Sequence, residues 1–293
     1  MPTLTSDPAL TERRVAGLDA YMADRVVRPD AFVCSDYRSC EASHAGGFYE
    51  GQLHHVGRHY DLLLDGQPLR VVVIGQEYGH GPPGVLRQER TEMVVDLTGL
   101  KKRFKADATH PARNPHMRGT TSLLRLLFSK EPGTDHAGEF LDLAGERIHM
   151  FDAFALTNFL LCSAVDGPRL TDSAFADQRV FGAQRGKSTR TMRKNCARHF
   201  RRAMMILEPT VMIAQGKGVR QWLDDGLDHA RPAAVAEGLP LEHVRIGEVT
   251  ALLATFGHPS APNRNNWGMN ERQPYLLGTV KPTVELIRDR LAR

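Results

Sequence analysis

Four short apolar runs constrain the fold of this chain more than any other feature: Leu69–Gly75 (LRVVVIG), Ile148–Asn158 (IHMFDAFALTN), Thr210–Gly216 (TVMIAQG) and Ala251–Pro259 (ALLATFGHP). Each is close to continuously apolar, the pattern of a strand covered on both faces and so of a parallel sheet. Helix-like spacing is read between and after them, at Thr121–Phe128, Arg190–Leu207, Val219–Leu227 and Ala233–Leu239. Strands alternating with helices predict an α/β fold, a three-layer α/β/α sandwich around a mostly parallel four-stranded sheet. Ligands of such folds bind outside the carboxyl ends of the strands, where Gly75, Asn158 and His258 would all project.

The 293 residues suffice for one large domain, and 1–293 reads as one. Residues 1–30 form an N-terminal helical extension, with Leu10, Val15, Leu18, Tyr21 and Met22 at helical spacing from Pro8 to Val27. Asp7 and Pro8 open that helix and Pro29 closes it. Residues 79–118 and 163–190 read as long polar insertions, of the kind that carry function. No apolar run reaches the roughly 20 residues that span a bilayer, and the first residues lack a basic or apolar leader pattern. The expectation is a soluble, cytoplasmic monomer that engages no membrane.

A formal charge of +4 is mildly basic, and the cations crowd into Lys101–Lys105, Arg185–Arg202 and the neighbourhood of Arg264. Such runs suit a polyanion, and also suit a merely solvated face. Four cysteines, Cys34, Cys40, Cys162 and Cys196, are few for a disulfide framework. A metal site, scattered core thiols and a redox role all remain open on composition alone.

Three separated motifs narrow the reading. Gly75-Gln76-Glu77-Tyr78-Gly79-His80-Gly81-Pro82 resembles the water-activating loop GQDPYHGP of the common uracil-DNA glycosylases. Leu156-Thr157-Asn158 resembles the strand end whose Asn reads the base, and Phe256-Gly257-His258-Pro259-Ser260 resembles the HPS loop at the leaving group. In that order, at strand ends, the motifs resemble the uracil-DNA glycosylase superfamily. Pro115-His116-Met117-Arg118-Gly119-Thr120-Thr121-Ser122-Leu123-Leu124 is similar to the PFVGRSGKLL segment of its iron-sulfur branch, which places His116 where an aromatic ring stacks on the flipped base. In that branch one cysteine follows the base-reading Asn, another lies on the next helix and two precede the first motif, as Cys162, Cys196, Cys34 and Cys40 do here. Five residues separate the first pair here, where the branch usually has two.

The resemblance implies a DNA glycosylase that flips a pyrimidine, either uracil or one with a bulky 5-substituent such as a hypermodified phage cytosine, and hydrolyses its glycosidic bond. Glu77 and Gln76 would position the attacking water, with Glu77 aligned to the family's Asp, and His258 would stabilise the departing base. Asn158, His116, Tyr78 and Gly79 would line the base, with Gly79 leaving its C5 edge open. Ser260, Pro259, Arg264 and Lys217 would grip the DNA backbone. The four cysteines would hold a 4Fe-4S cluster, with four-cysteine zinc as the alternative. A non-catalytic lesion-binding protein on the same fold is the competing reading. No G-x-S-x-G elbow, G-x-G-x-x-G turn or P-loop lysine signature supports a small-molecule hydrolase.

Overall fold

The computed structural model describes residues 3–49, 51, 53–77, 86–95, 115–133, 135–165, 188–228, 233–261 and 265–292. Its central sheet contains β1 (His55–Val56), β2 (Val71–Gly75), β3 (Ala155–Asn158), β4 (Val211–Gln215), β5 (Ala233–Ala234), β6 (Leu241–Ile246) and β7 (Val249–Phe256). The strand order is β5-β6-β7-β4-β2-β3-β1. Neighbours within β7-β4-β2-β3 are parallel and come from the four apolar runs, although only Ala155–Asn158 of the run Ile148–Asn158 joins the sheet: Ile148–His149 ends a separate antiparallel hairpin and Met150–Ala153 is a short helical turn. β1, β6 and β5 add antiparallel edges, so among the described residues the mixed α/β sheet has seven strands rather than four.

One anticipated helix, Ala233–Leu239, is not formed. β5 occupies its start and pairs with β6, and the Val235 N–H donates to the Leu241 carbonyl at 3.0 Å. A seven-residue segment is too short to sustain a helix on propensity, and Gly238, at φ 79°, turns the chain before Pro240. Pairing with β6 satisfies its backbone instead.

Alternation along the strands separates two apolar clusters. Val72, Ile74, Met212, Ala214 and Leu253 face α1 (Pro8–Arg25), α5 (Arg190–Leu207) and α6 (Lys217–Leu223). Val71, Val73, Val211, Ile213 and Leu252 share the other cluster with α4 (Pro115–Leu127) and α7 (Lys281–Leu291). The shorter α2 (Tyr37–Ala42) and α3 (Arg87–Val95) flank the sheet near β1 and the cysteines. Among the described residues no helix is long and apolar enough to cross a membrane.

α1 begins as its sequence dictates: Asp7 Oδ1 accepts from the Leu10 N–H at 2.9 Å, and Pro8 occupies the first turn. It is not a detached extension, because Leu18 and Met22, one turn apart, are buried in the core. Arg14 ties it to the far end of α5, bonding Asp61 at 3.0 Å, the Ile206 carbonyl at 2.8 Å and Glu208 at 2.8 Å.

His54, just ahead of β1, is buried, and among the described residues neither ring nitrogen has a hydrogen-bond partner. Burial, followed by the nearby Arg90 and His199, pushes its pKa down to about 4. A histidine lowered on folding adds stability at and above its unfolded pKa of about 6.5, and that stability is lost as pH falls toward 4. Replacing the ring with Phe removes the titration. Between pH 7 and pH 5, urea unfolding should show wild type losing about 2 kcal/mol more than His54→Phe. Parallel pH profiles would contradict this placement.

A candidate active site at the carboxyl edge of the sheet

Because β2, β3, β4 and β7 run parallel, their carboxyl ends share one edge, and each delivers a polar residue to it. Asn158, the last residue of β3, pairs in register with Gly75 at the end of β2. Beyond the strands the Phe159 N–H donates to the Gly75 carbonyl at 3.0 Å and the Leu160 N–H to the Gln76 carbonyl at 2.9 Å, which fastens the Asn158 turn to the first motif. A Cβ added at Gly75 would lie 2.6 Å from Asn158 Oδ1, so the amide rests against the glycine backbone.

Gln76 and Glu77 form a small network with Ser188, which lies just ahead of α5. Gln76 Nε2 donates to Ser188 Oγ at 3.2 Å, and Ser188 Oγ donates to Glu77 Oε2 at 3.0 Å. Gln76 Nε2 also approaches Glu77 Oε1 at 3.5 Å. The carboxylate is thereby oriented rather than left to rotate in solvent. Sequence patterning missed Ser188, because it falls inside a segment that reads only as a polar insertion.

His258 follows β7. Its Nδ1 accepts from the Ser260 N–H at 3.1 Å, so the neutral ring carries its proton on Nε2 and acts there as a donor. Its plane is set by His116 at the start of α4, stacked at a centroid distance of 5.4 Å and 28°. The loop is braced from below: Trp267 Nε1 donates to the Gly257 carbonyl at 2.6 Å, and the Gly257 N–H donates to Tyr275 Oη at 3.0 Å. α4 approaches closely because residue 119 is glycine; a Cβ there would stand 2.6 Å from Pro259 Cβ and 3.1 Å from the Trp267 ring. Gln215, ending β4, donates to Thr120 Oγ1 at 2.9 Å and holds α4 to the sheet.

The structure thus brings Gln76, Glu77, Asn158, His116 and His258 to one edge. Pro259 is buried beneath the loop and Ser260 is half-buried beside it. Lys217, opening α6 after β4, is exposed. Tyr78, Gly79, Arg264 and the Lys101–Lys105 run lie outside the described residues.

A second cluster lies on the α1 and α5 face of the sheet. Cys34, Cys40, Cys162 and Cys196 line one cavity, walled by Phe32, Phe48 and Met192. The five residues between Cys34 and Cys40 are taken up as the chain enters α2, which returns Cys40 to the cavity. None is in a disulfide. Three of the four sulfurs have a donor close by, and Cys34 faces a ring nitrogen that itself accepts from Arg198 Nε at 3.4 Å. Asn195 Nδ2 donates to Cys40 Sγ at 3.3 Å, and His199 Nε2 stands 3.8 Å from Cys34 Sγ. The Gly51 and Leu161 backbone groups bond Cys162 and Cys196. Burial, reinforced by neighbouring cysteines, pushes Cys162 well up, Cys196 up to about 12 and Cys40 upward. Bare thiolates are therefore disfavoured in this cavity unless a cation compensates them. Among the described residues no three His, Cys, Asp or Glu side chains gather as a site for a single metal ion. Asn195 and His199 were legible only as neighbours of Cys196 on the same helix.

No protein-family model matches the chain, and no curated protein matches it.

The two glycines make opposite expectations. At Gly75 an added methyl meets only the end of a flexible amide, so Gly75→Ala should change stability by less than about 1 kcal/mol while turning Asn158 aside. At Gly119 it meets a buried proline ring, so Gly119→Ala should destabilise by about 1 to 3 kcal/mol despite alanine's helix preference. Urea denaturation of both variants checks the pair, and equal costs would contradict the packing described.

Proposed function

We propose that this protein is a monofunctional DNA glycosylase of the uracil-DNA glycosylase type, a three-layer α/β/α sandwich acting as a cytoplasmic monomer on DNA. The observation that carries the reading is the convergence of Asn158, His258 with His116, and the Gln76–Glu77 pair at one sheet edge.

A base within a duplex hides its glycosidic bond, so the nucleotide must be extruded into the site or met on a single strand. The Asn158 amide offers both a donor and an acceptor to the pairing edge of a pyrimidine. Departure of the base builds negative charge on its carbonyl oxygen and oxocarbenium character on the sugar. The His258 Nε2–H donates to that oxygen, and stacking on His116 keeps the ring from reorienting as charge develops. Glu77, oriented by Ser188 and Gln76, positions the water that attacks the anomeric carbon. Ser260, Lys217 and the backbone beside Pro259 would contact flanking phosphates, and the family resemblance adds Arg264 to them. In the resemblance to the family's first motif, Gly79 stands where a tyrosine would crowd the C5 edge, which supports uracil or a 5-substituted pyrimidine as substrate.

The donor set of the cysteine cavity supports an iron-sulfur cluster: four thiols line one cavity, and Cys40, Cys162 and Cys196 each have an N–H donor beside them. A bound 4Fe-4S cluster would supply a cross-link joining the Cys34 loop, α2, the turn after β3 and α5. Thiols around a void suit a cluster better than a lone zinc ion, which draws its ligands to a point.

Oligonucleotides bearing uracil, hypoxanthine, 5-substituted uracils or 5-substituted cytosines, scored for abasic sites, test the activity. Asn158→Ala and His258→Ala should each slow excision by about 10- to 1000-fold with little change in DNA affinity. Wild-type rates in both variants, or no excision of any base by wild type, would overturn the reading. Anaerobically purified protein should be yellow-brown with broad absorbance near ~400 nm, and Cys196→Ser should lose both colour and stability. Zinc in place of iron would remove the cluster from the account.

A further inference from the structure

We propose that the outer face of α5 is a track for the phosphate backbone of the DNA strand carrying the excised base; the inference rests on the glycosylase reading for the identity of that strand. α5 contains six cations and no carboxylate. Arg190, Lys194, Arg198 and Arg202 recur every four residues and are all exposed, so they form one stripe. Each step along it rises about 6 Å, comparable to the separation of successive phosphates on one strand, and the stripe spans about 18 Å.

The charges are placed against the interests of the helix. Arg190, Arg193 and Lys194 crowd the first turns, where the helix dipole disfavours cations, and the last turn, where cations would be favoured, has none. Like charges four apart also repel. Two other cations of the helix are occupied by the protein itself: Arg193 pairs with Asp225 at 3.0 Å and Arg201 with Asp228 at 2.5 Å. Within the stripe Arg198 meets Asp36 at 2.7 Å and Ser35 at 2.9 Å, which holds the Cys34 loop. Arg25 of α1 lies toward the Arg198 and Arg202 end, with all three near the Tyr21 hydroxyl, but it pairs with Asp24 at 2.6 Å and so adds little charge there.

The stripe is also aimed. It begins two residues after Ser188, which bonds both Gln76 and Glu77, so it leads directly away from the candidate active site. Cys196 lies on the buried side of the same helix, and the track therefore passes over the outside of the cysteine cavity. The side chains between its cations, including Thr191 and Asn195, are polar, whereas a membrane-surface helix would present large apolar residues there. Evenly spaced cations without an apolar border suit a regular polyanion read through its backbone.

The test compares wild type with the triple variant Arg190→Gln/Lys194→Gln/Arg202→Gln, leaving Arg198 in place. A control triple variant, Arg58→Gln/Arg245→Gln/Arg290→Gln, removes exposed cations from other elements. Anisotropy of a labelled single-stranded oligonucleotide and of its duplex is followed across salt concentrations. The stripe variant should bind about 10- to 100-fold more weakly at low salt, and its slope of log affinity against log salt should shrink by about 2 to 3. The control should retain the wild-type slope. Thermal stability of the stripe variant should be unchanged or raised, because cations leave the positive end of a helix. An unchanged slope in the stripe variant overturns the proposal, as does wild type preferring RNA or anionic vesicles to DNA. A reduced slope in a protein that excises no base would support the track while removing the glycosylase reading, so the two failures are distinct.

Discussion

The parallel pairing of β2 with β3 is the constraint on which the rest depends. It sets Asn158 against Gly75, and the hydrogen bonds that continue past the strand ends carry the same register into the Gln76–Glu77 turn. Because β4 and β7 extend that parallel sheet, Gln215 and His258 arrive at the same edge without any separate device. α4 then closes the arrangement through Gly119, whose missing side chain lets the helix come near enough for His116 to stack on His258. Backbone pairing places the polar groups, and small residues let them approach.

The cysteine cavity solves a different problem on the other side of the same strands. Four thiols are drawn from four places in the chain into an apolar cavity that resists their ionisation. Such a cavity is poorly suited to free thiolates unless a cation compensates their charge. α5 joins the two regions: Ser188 precedes it at the candidate-site edge, Cys196 is on its buried face, and its exposed face carries the basic stripe.

The central strands were legible because fully buried parallel strands leave continuous apolar runs, and their ends marked the candidate site. The edges were harder. β6 mixes buried and open positions over six residues, and β5 hides in a sequence of good helix formers that is too short to be a helix. Pro8–Arg25 was legible as a helix from its cap and spacing, but not as part of the core, since Arg14 reaches partners almost 200 residues away. The Cys34–Cys40 spacing gave no hint that the turn into α2 would reunite the pair. Ser188, His199 and Asn195 left no pattern of their own, because a single polar residue gains its role only from what the fold sets opposite it.

The most direct test is a crystal structure with an oligonucleotide carrying deoxypseudouridine, whose carbon-carbon glycosidic bond resists hydrolysis. The account predicts the base extruded to the carboxyl edge, its pairing edge on the Asn158 amide and a carbonyl oxygen of the base within hydrogen-bond reach of His258 Nε2. A base left stacked in the DNA, or bound away from Asn158 and His258, would contradict it.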